Sequence, residues 1–244
     1  FLQHRIGDKR IIRLIRKWLT VGVVENGKCE RNLRGAPQGA VISPLLANIY
    51  LHYVFDLWTH QWRSKKTKGD IIIARYADDS ALGFQYKTDA DRFLKDLEMR
   101  MKKFDLEIHP EKMKLIRFGR FAKAQYQELG EGKPDTFDFL GFTHYCTNTK
   151  NGKWFVVGRK TIKKRMRAQL LEIKRSLRER LHAPISETGA WLRRILTGHL
   201  NYYAVPENDA SLKYFFNHVA WCWIRTLRRR SQRQCMTWER FGQL

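Results

Sequence analysis

The segment that indicates the fold most clearly runs from Ile71 to Phe84 and reads IIIARYADDSALGF. Two apolar segments, Ile71–Ala74 and Ser80–Phe84, lie on either side of Tyr76-Ala-Asp-Asp79. Short apolar segments separated by a short polar one are typical of a β-hairpin. The pattern therefore predicts two strands that meet at a tight turn, with two adjacent carboxylates at its tip.

The paired carboxylates, Asp78 and Asp79, are the first candidate site in this chain. Like charges repel and the flanking strands are apolar, so the pair in dry surroundings is costly unless a cation binds it. Mg²⁺ prefers carboxylate oxygens and is commonly shared between carboxylates and substrate phosphates. In a two-metal site this arrangement stabilises the attacking 3′-oxygen and the leaving pyrophosphate. Asp-Asp turns without a ligand are also common in hairpins, so this element alone leaves both interpretations open.

Apolar residues at helical spacing predict the elements that pack around the hairpin. The predicted helices are Ile6–Leu19, a helix that starts at Ser43-Pro44 and runs to Leu57, and a helix whose apolar stripe is Phe93, Leu97, Met101 and Phe104. Leu106–Ile108 and Leu115–Phe118 are predicted as short strands on either side of a His-Pro turn. A hairpin in a mixed sheet, with helices packed on one face, is an α+β arrangement.

The chain is strongly basic, with 47 Lys and Arg against 24 Asp and Glu and a net charge of +23. Folding does not require so much uncompensated charge, whereas Lys and Arg that neutralise phosphates gain affinity by releasing counterions. The composition therefore indicates a polyanionic partner. The longest apolar runs, such as Ile71–Ala74, are far too short to cross a bilayer, so no membrane partner is expected.

Basic residues are concentrated toward the end of the chain, where residues 159–244 hold 19 Lys and Arg and only six Asp and Glu. Thr161–Leu181 is predicted as a helix with one apolar stripe and a basic face formed by Lys163, Lys164, Arg167, Lys174, Arg175 and Arg178. A solvated surface is the ordinary interpretation of such a face. Acidic partners at helical spacing are nearly absent, which favours a surface for nucleic-acid phosphates. For Tyr202 and Tyr203, packing between helices is favoured over stacking on unpaired bases.

A loop rich in glycine and proline, Arg34-Gly-Ala-Pro-Gln-Gly-Ala40, precedes the helix that starts at Ser43. Glycines let backbone amides approach a ligand closely. Taken alone this loop is a weak signal, since Gly and Pro precede many helices.

Taken together and in this order, these segments resemble group II intron reverse transcriptases, also called maturases. The loop and the following helix match that family at Gly35–Leu51, and the carboxylate pair matches its YxDD block at Tyr76–Asp79. Further matches are Phe104–Phe118 with Glu111-Lys112, the FLGF element Phe139–Phe142, and the segments Leu196–Ala204 and Trp221–Phe241, which are similar to the maturase region called domain X. The match covers nearly the whole chain.

The resemblance implies a role for each matched residue. Asp78 and Asp79 are expected to be catalytic ligands of Mg²⁺, with Mn²⁺ as the alternative ion. Lys112 is expected beside the triphosphate, although a plain surface lysine remains equally open. The pocket for nucleotide and template is expected to include Pro37, Gln38, Gly39 and Ala77. The turn that grips the primer is expected at Phe139, Leu140, Gly141 and Phe142.

The resemblance also implies the domain organisation. Residues 1–157 are expected to form a partial polymerase palm that lacks the fingers and the first catalytic strand. Residues 158–244 are expected to form a basic, all-α thumb and domain X, truncated at the C-terminus. The implied activity is RNA-directed DNA synthesis with maturase-type RNA binding that assists splicing. The implied partners are intron RNA, RNA/DNA template–primer and dNTPs, and the full-length protein could form a homodimer. The implied location is a bacterial-type cytoplasm, in a nucleoid or ribonucleoprotein assembly.

Two other functions are compatible with parts of the sequence. A splicing maturase that binds intron RNA without polymerising is favoured for this fragment by the absence of the upstream palm aspartate, and residues 1–244 alone are expected not to extend a primer. The intact carboxylate pair favours the polymerase, because an RNA chaperone does not need it. A basic structural RNA-binding domain explains the charge but not the motifs.

Overall fold

A computed structural model describes residues 1–20, 23–25, 28–30, 41–149, 151–230 and 236–242. The helices are α1 (Lys9–Thr20), α2 (Ser43–Leu51), α3 (Leu57–Lys66), α4 (Lys87–Lys103), α5 (Ala122–Glu128), α6 (Lys163–Glu179), α7 (Ile185–Tyr203), α8 (Asp209–Arg228) and α9 (Trp238–Phe241). The strands are β1 (Val23–Glu25), β2 (Lys28–Glu30), β3 (Ile71–Tyr76), β4 (Asp79–Phe84), β5 (Phe137–Phe139), β6 (Phe142–Asn148) and β7 (Phe155–Thr161). The chain divides into two compact units, a first unit of Phe1–Lys114 and a second unit of Leu115–Leu244.

The predicted hairpin is confirmed in the first unit. Strands β3 and β4 pair antiparallel, with a register that runs from Ile71 opposite Phe84 to Tyr76 opposite Asp79. Side chains alternate between the two faces, so Ile71 is buried whereas Ile72 is 75% exposed. The buried face packs with the helices in a core of Val54, Phe55, Trp62, Ile71, Phe93, Leu97 and Met101. The predicted apolar stripe of α4 therefore faces this core.

Three details of the first unit and its border differ from the sequence predictions. The helix that starts at Ser43 does not run unbroken, because one π-helical turn over His52–Asp56 separates α2 from α3. Leu106–Ile108 and Leu115–Phe118 are not strands; the side chains of Leu106 and Ile108 pack on the core while their backbone joins no ladder. The α+β class is confirmed. The predicted mixed sheet is not found, because every strand pairing among the described residues is antiparallel. Each pairing joins strands that are adjacent along the chain.

The second unit combines a three-stranded antiparallel sheet, in the order β5-β6-β7, with the helices α6, α7 and α8. Its core holds Met166, Ile173, Leu177, Leu192, Phe215 and Val219, so the predicted stripe of α6 is confirmed. Residue 157 lies inside β7, and the division of the chain into palm and thumb at that residue stays a prediction. Among the described residues, none of the helices is long and apolar enough to cross a membrane.

A buried asparagine joins the end of the sheet to the connection between α7 and α8. Asn208 is fully buried, and its Oδ1 accepts a hydrogen bond from the Thr161 backbone N–H at 2.9 Å. Its Nδ2 donates to Thr161 Oγ1 at 2.9 Å and to the Tyr203 carbonyl at 2.8 Å. One amide thus satisfies three polar groups that folding removes from water.

Replacement of Asn208 with Ala is expected to destabilise the protein by about 2–3 kcal/mol, because buried polar groups would lose their partners. The midpoint of chemical denaturation measures this loss. Asn201→Ala, at an exposed position of α7, is the matched control and should shift stability by less than about 0.5 kcal/mol. Equal midpoints for the two variants would contradict the structural role of Asn208.

A buried histidine, His199, is expected to make the second unit sensitive to acid. His199 is only 4% exposed, its ring stacks on Phe215 at 3.7 Å between centroids, and its Nδ1 lies 3.1 Å from Gln169 Oε1. Burial lowers the pKa of His199 below its ordinary value of 6.5. The unfolded chain therefore binds a proton more readily than the folded chain does, and stability is lost as the pH falls below about 6.5.

We expect His199→Gln to reduce the loss of stability between pH 7.5 and pH 5.5, a loss to which His199 contributes at most about 1.4 kcal/mol per pH unit. Denaturation midpoints measured across this range test the prediction. The exposed His182 provides the control, since His182→Gln removes a histidine without opening the core. Parallel pH curves for the native protein and His199→Gln would show that His199 does not carry the effect.

Candidate functional site

The tip of the hairpin is a two-residue turn formed by Ala77 and Asp78 between the paired residues Tyr76 and Asp79. Ala77 has a φ of 53°, in the left-handed region. A positive φ at the first turn position matches the twist of a hairpin, but a residue with a Cβ adopts it at a cost of about 1–2 kcal/mol. The surrounding structure must therefore hold this turn.

Asp78 in the turn and Asp79 at the start of β4 are both exposed to solvent, so the expectation of dry surroundings is wrong. Water reaches Asp78 and Asp79 because they stand at the free end of the ribbon, beyond the apolar residues that pack on the core. Neither carboxylate forms an ion pair with a described residue. The described part of the chain contains no group of three or more His, Cys, Asp or Glu that could hold a metal ion. The hairpin tip thus offers two accessible carboxylates without a described ion-pair partner.

Arg75, the second-last residue of β3, connects the turn to the helices. Its Nε and Nη2 donate to Asp56 Oδ1 and Oδ2 at 2.6 and 2.7 Å. Its Nη1 donates to Asn48 Oδ1 at 2.9 Å and to the Ala77 carbonyl at 2.7 Å. Partial burial raises the pKa of the Asp56 carboxyl, but hydrogen bonds and charge from Arg75 and His52 outweigh it and lower that pKa below its ordinary value.

None of the site residues predicted from the sequence is Arg75, Asp56 or Asn48. One pattern in the sequence pointed to Arg75. Side chains alternate along a strand, so Arg75 lies on the same face of β3 as Ile71 and Ile73, whose side chains face the core. A cation at an inward-facing position needs a partner. The sequence alone does not show which carboxylate provides it, since Asp56 lies 19 residues away.

The other predicted residues of the nucleotide pocket are less informative. Pro37, Gln38 and Gly39 lie outside the described residues. Lys112 is exposed in a turn in which its backbone N–H donates to the His109 carbonyl at 3.1 Å. A role for Lys112 beside a triphosphate stays a prediction.

The predicted primer-grip residues form the turn between β5 and β6 in the second unit. Phe139 pairs with Phe142, and both intervening residues have positive φ, 48° at Leu140 and 80° at Gly141. Two such residues define a tight hairpin turn, which Gly adopts freely and Leu does not. A Cβ at Gly141 would also lie 3.2 Å from the Tyr203 hydroxyl. The turn thus requires glycine at its second position.

Tyr202 holds this turn from the end of α7. Its hydroxyl donates to the Leu140 carbonyl at 2.9 Å, and its ring stacks on Phe142 at 5.9 Å between centroids. Tyr202 is 53% exposed, so the prediction that it packs between helices is wrong. Tyr203 is half-buried, and its ring contacts Phe142 of β6 and His199 of its own helix; its packing between helices stays a prediction.

The basic face of α6 is present as predicted, with all six residues exposed: Lys163, Lys164, Arg167, Lys174, Arg175 and Arg178. Arg175 pairs with Glu172 at 2.7 Å and lies 3.9 Å from Glu179. The other five have no carboxylate within 4.0 Å among the described residues. Their charge is therefore available to a polyanion, and its function as a nucleic-acid surface stays a prediction.

Simultaneous replacement of Lys163, Lys164 and Arg167 with Gln is expected to flatten the salt dependence of RNA binding. The slope of log affinity against log salt should fall by roughly two to three, because each lost phosphate contact removes about 0.7–0.9. Binding isotherms at several salt concentrations measure the slope. The matched control replaces three exposed lysines of α4, Lys95, Lys102 and Lys103, with Gln. Equal slopes for the two triple variants would show that the face of α6 is merely solvated.

A hairpin that carries paired aspartates, packed by helices and followed by a basic helical unit, is the arrangement expected of a nucleic-acid polymerase palm and its continuation. Residues 3–144, more than half of the chain, match the family described as reverse transcriptase (RNA-dependent DNA polymerase). The chain belongs to this reverse transcriptase family, and the predicted enzyme family is confirmed.

Comparison with individual proteins places its relatives among intron-encoded proteins. The chain is 29% identical over 153 residues to the uncharacterized 91 kDa protein in cob intron of Schizosaccharomyces pombe, covering 60% of this chain and 19% of that protein. It is 48% identical over 48 residues to the group II intron-encoded protein LtrA of Lactococcus lactis subsp. cremoris, covering 20% and 8%. It is 37% identical over 71 residues to the putative COX1/OXI3 intron 1 protein of Saccharomyces cerevisiae, covering 29% and 8%. The resemblance to group II intron proteins is confirmed, and the aligned segments span less than a fifth of each relative.

Proposed function

We propose that this chain carries catalytic aspartates and part of the nucleic-acid interface of a group II intron-type polymerase that copies RNA into DNA. The observation that carries the proposal is the hairpin turn at Ala77 and Asp78. It presents Asp78 and Asp79 to solvent without ion-pair partners among the described residues, in a chain of the reverse transcriptase family.

Asp78 and Asp79 would hold Mg²⁺, or Mn²⁺ as the alternative, because hard divalent cations prefer carboxylate oxygens. When bound, the metal supplies charge that stabilises the attacking 3′-oxygen and the leaving pyrophosphate of an incoming dNTP. The chain's own contribution is placement, since the β3–β4 ladder fixes where the turn begins and ends. Two carboxylates leave most positions around an octahedral ion to water, to substrate phosphates and to a further carboxylate.

The second unit would hold nucleic acid in two ways. The turn at Leu140 and Gly141 would contact the primer, and the exposed face of α6 would neutralise backbone phosphates of template–primer or intron RNA. The exposed cations support the second assignment, since five of the six on α6 have no carboxylate partner among the described residues. Maturase-type assistance of splicing rests on the same RNA-binding surface.

Primer extension on an RNA template tests the polymerase function. The protein for this assay carries residues 1–244 joined to the aspartate-bearing strand that the resemblance places upstream. We expect extension of a DNA primer that requires Mg²⁺ and stops on addition of EDTA, together with salt-dependent RNA binding. RNA binding without extension would overturn the polymerase function and support the second candidate, an RNA-binding splicing maturase, which the basic face of α6 favours.

A further inference from the structure

The guanidinium of Arg75 makes four hydrogen bonds that join three separate parts of the first unit. Two go to the carboxylate of Asp56 in a bidentate arrangement, one goes to the Asn48 side chain, and one goes to the Ala77 carbonyl. The Arg75 side chain is 16% exposed and the Asp56 side chain is 31% exposed. Bidentate pairs of this kind fix geometry as well as supplying energy.

The π-helical turn over His52–Asp56 brings the two helical partners into line. Each residue of an α-helix advances by about 100°, so residues eight apart lie roughly 80° apart around the axis. A π-turn accommodates one extra residue, which reduces the angle between Asn48 and Asp56 to roughly 20°. Both side chains then reach the same guanidinium, as their distances to Arg75 show. The π-helical turn thus places Asn48 and Asp56 on the same side of the helix, where both bind Arg75.

The fourth hydrogen bond ends on a strained residue. Ala77 has a φ of 53°, and its carbonyl is the acceptor at 2.7 Å from Arg75 Nη1. Ala77 directly precedes Asp78, so the orientation of the peptide between them determines the position from which the Asp78 side chain extends. Because the turn is short and its first residue is strained, an external contact at this carbonyl is well placed to hold it.

We propose that Arg75, supported by Asp56 and Asn48, is a positioning residue that holds the Ala77–Asp78 turn and thereby places the Asp78 carboxylate. This inference rests on the proposed function for its catalytic consequence, whereas its structural content is independent of any activity. Arg75 acts through the turn and touches no reacting atom. Lys at this position would keep the charge but would lose the planar fork that reaches four acceptor atoms on three residues at once.

The test compares Arg75→Gln, Arg75→Lys and Asp56→Asn with a matched control, Lys66→Gln. Lys66 forms an ion pair of 2.7 Å with Asp96 in the same unit, a pair that does not include the hairpin turn. The first measurement is amide hydrogen exchange of the peptide covering residues 71–84. The second is the affinity for Mn²⁺ without substrate, measured by electron paramagnetic resonance. The third is kcat and KM for dNTP in primer extension by the protein that carries the upstream strand.

We expect turn amides of Arg75→Gln and Asp56→Asn to exchange at least about tenfold faster than in the native protein, with Arg75→Lys intermediate. Mn²⁺ affinity and kcat should fall in the same order, while KM for dNTP changes little and Lys66→Gln behaves as the native protein does. Exchange at the native rate in Arg75→Lys and Asp56→Asn would overturn the proposal, even if Arg75→Gln fails to fold. Native kcat in a variant with a loosened turn would overturn it as well. Absence of extension in the native protein would contradict the proposed function alone, because exchange and Mn²⁺ affinity still decide the positioning role.

Discussion

Replacement of Asp78 with Asn is expected to lower RNA-templated primer extension by about a thousandfold or more. Asn has nearly the same shape as Asp but lacks the negative charge that holds a divalent cation. The two-metal reaction depends on charge and placement at the attacking and leaving oxygens, so loss of one ligand affects the chemical step directly. Asp79→Asn is expected to have an effect in the same direction.

Single-turnover extension by protein that also carries the upstream aspartate-bearing strand measures this loss. Asp70→Asn is the matched control, since Asp70 is also exposed and lies just before β3 at the other end of the hairpin. The Asp78 side chain is exposed and forms no ion pair with a described residue, so its replacement should leave the melting temperature nearly unchanged. Extension at the native rate by Asp78→Asn would remove Asp78 from the metal site. An equal loss in Asp70→Asn would point to a general effect of charge.

Replacement of Phe215 with Ala is expected to destabilise the second unit by about 3–5 kcal/mol, the largest stability effect that we predict. Phe215 is fully buried in the core formed by α6, α7 and α8, and its ring stacks on His199 at 3.7 Å between centroids. Its removal loses the apolar transfer energy and leaves a cavity beside a buried histidine, which three packed helices fill only in part. Water entering that cavity would also ease protonation of His199.

Equilibrium unfolding in urea measures this change, with the fluorescence of tryptophans such as Trp191 and Trp223, which border this core, as the probe. Tyr214→Ala is the control, because Tyr214 precedes Phe215 on α8 but is 44% exposed. Its effect should stay below about 1 kcal/mol. Similar unfolding midpoints for the two variants would mean that the core does not depend on Phe215 as the structure indicates.

Local patterns in the sequence determined much of the architecture. Two short apolar segments on either side of a polar turn predicted the β3–β4 hairpin with its carboxylates at the tip, and the structure confirms this hairpin. Helical spacing predicted the buried stripes of α4 and α6, because an apolar face at a period of 3.6 residues has to be covered. These features depend on residues close together along the chain, so one sequence was sufficient to find them.

Contacts between distant residues were decided only by the tertiary structure. Leu106–Ile108 has the apolar residues of a strand, yet its side chains pack on the core and its backbone pairs with no described strand. Tyr202 reaches the Leu140 carbonyl 62 residues away, and Asn208 binds Thr161 across 47 residues.

The surroundings of the candidate catalytic turn also depend partly on local sequence patterns and partly on contacts between distant residues. Local residue patterns alone predicted that Asp78 and Asp79 stand at a hairpin tip. Only the tertiary structure placed Asp56 and Asn48 on one side of a helix with a π-turn, where both reach Arg75. Hairpin formation follows from the preferences of neighbouring residues. The partner of the partly buried Arg75 depends instead on how separate elements pack, which no local pattern contains.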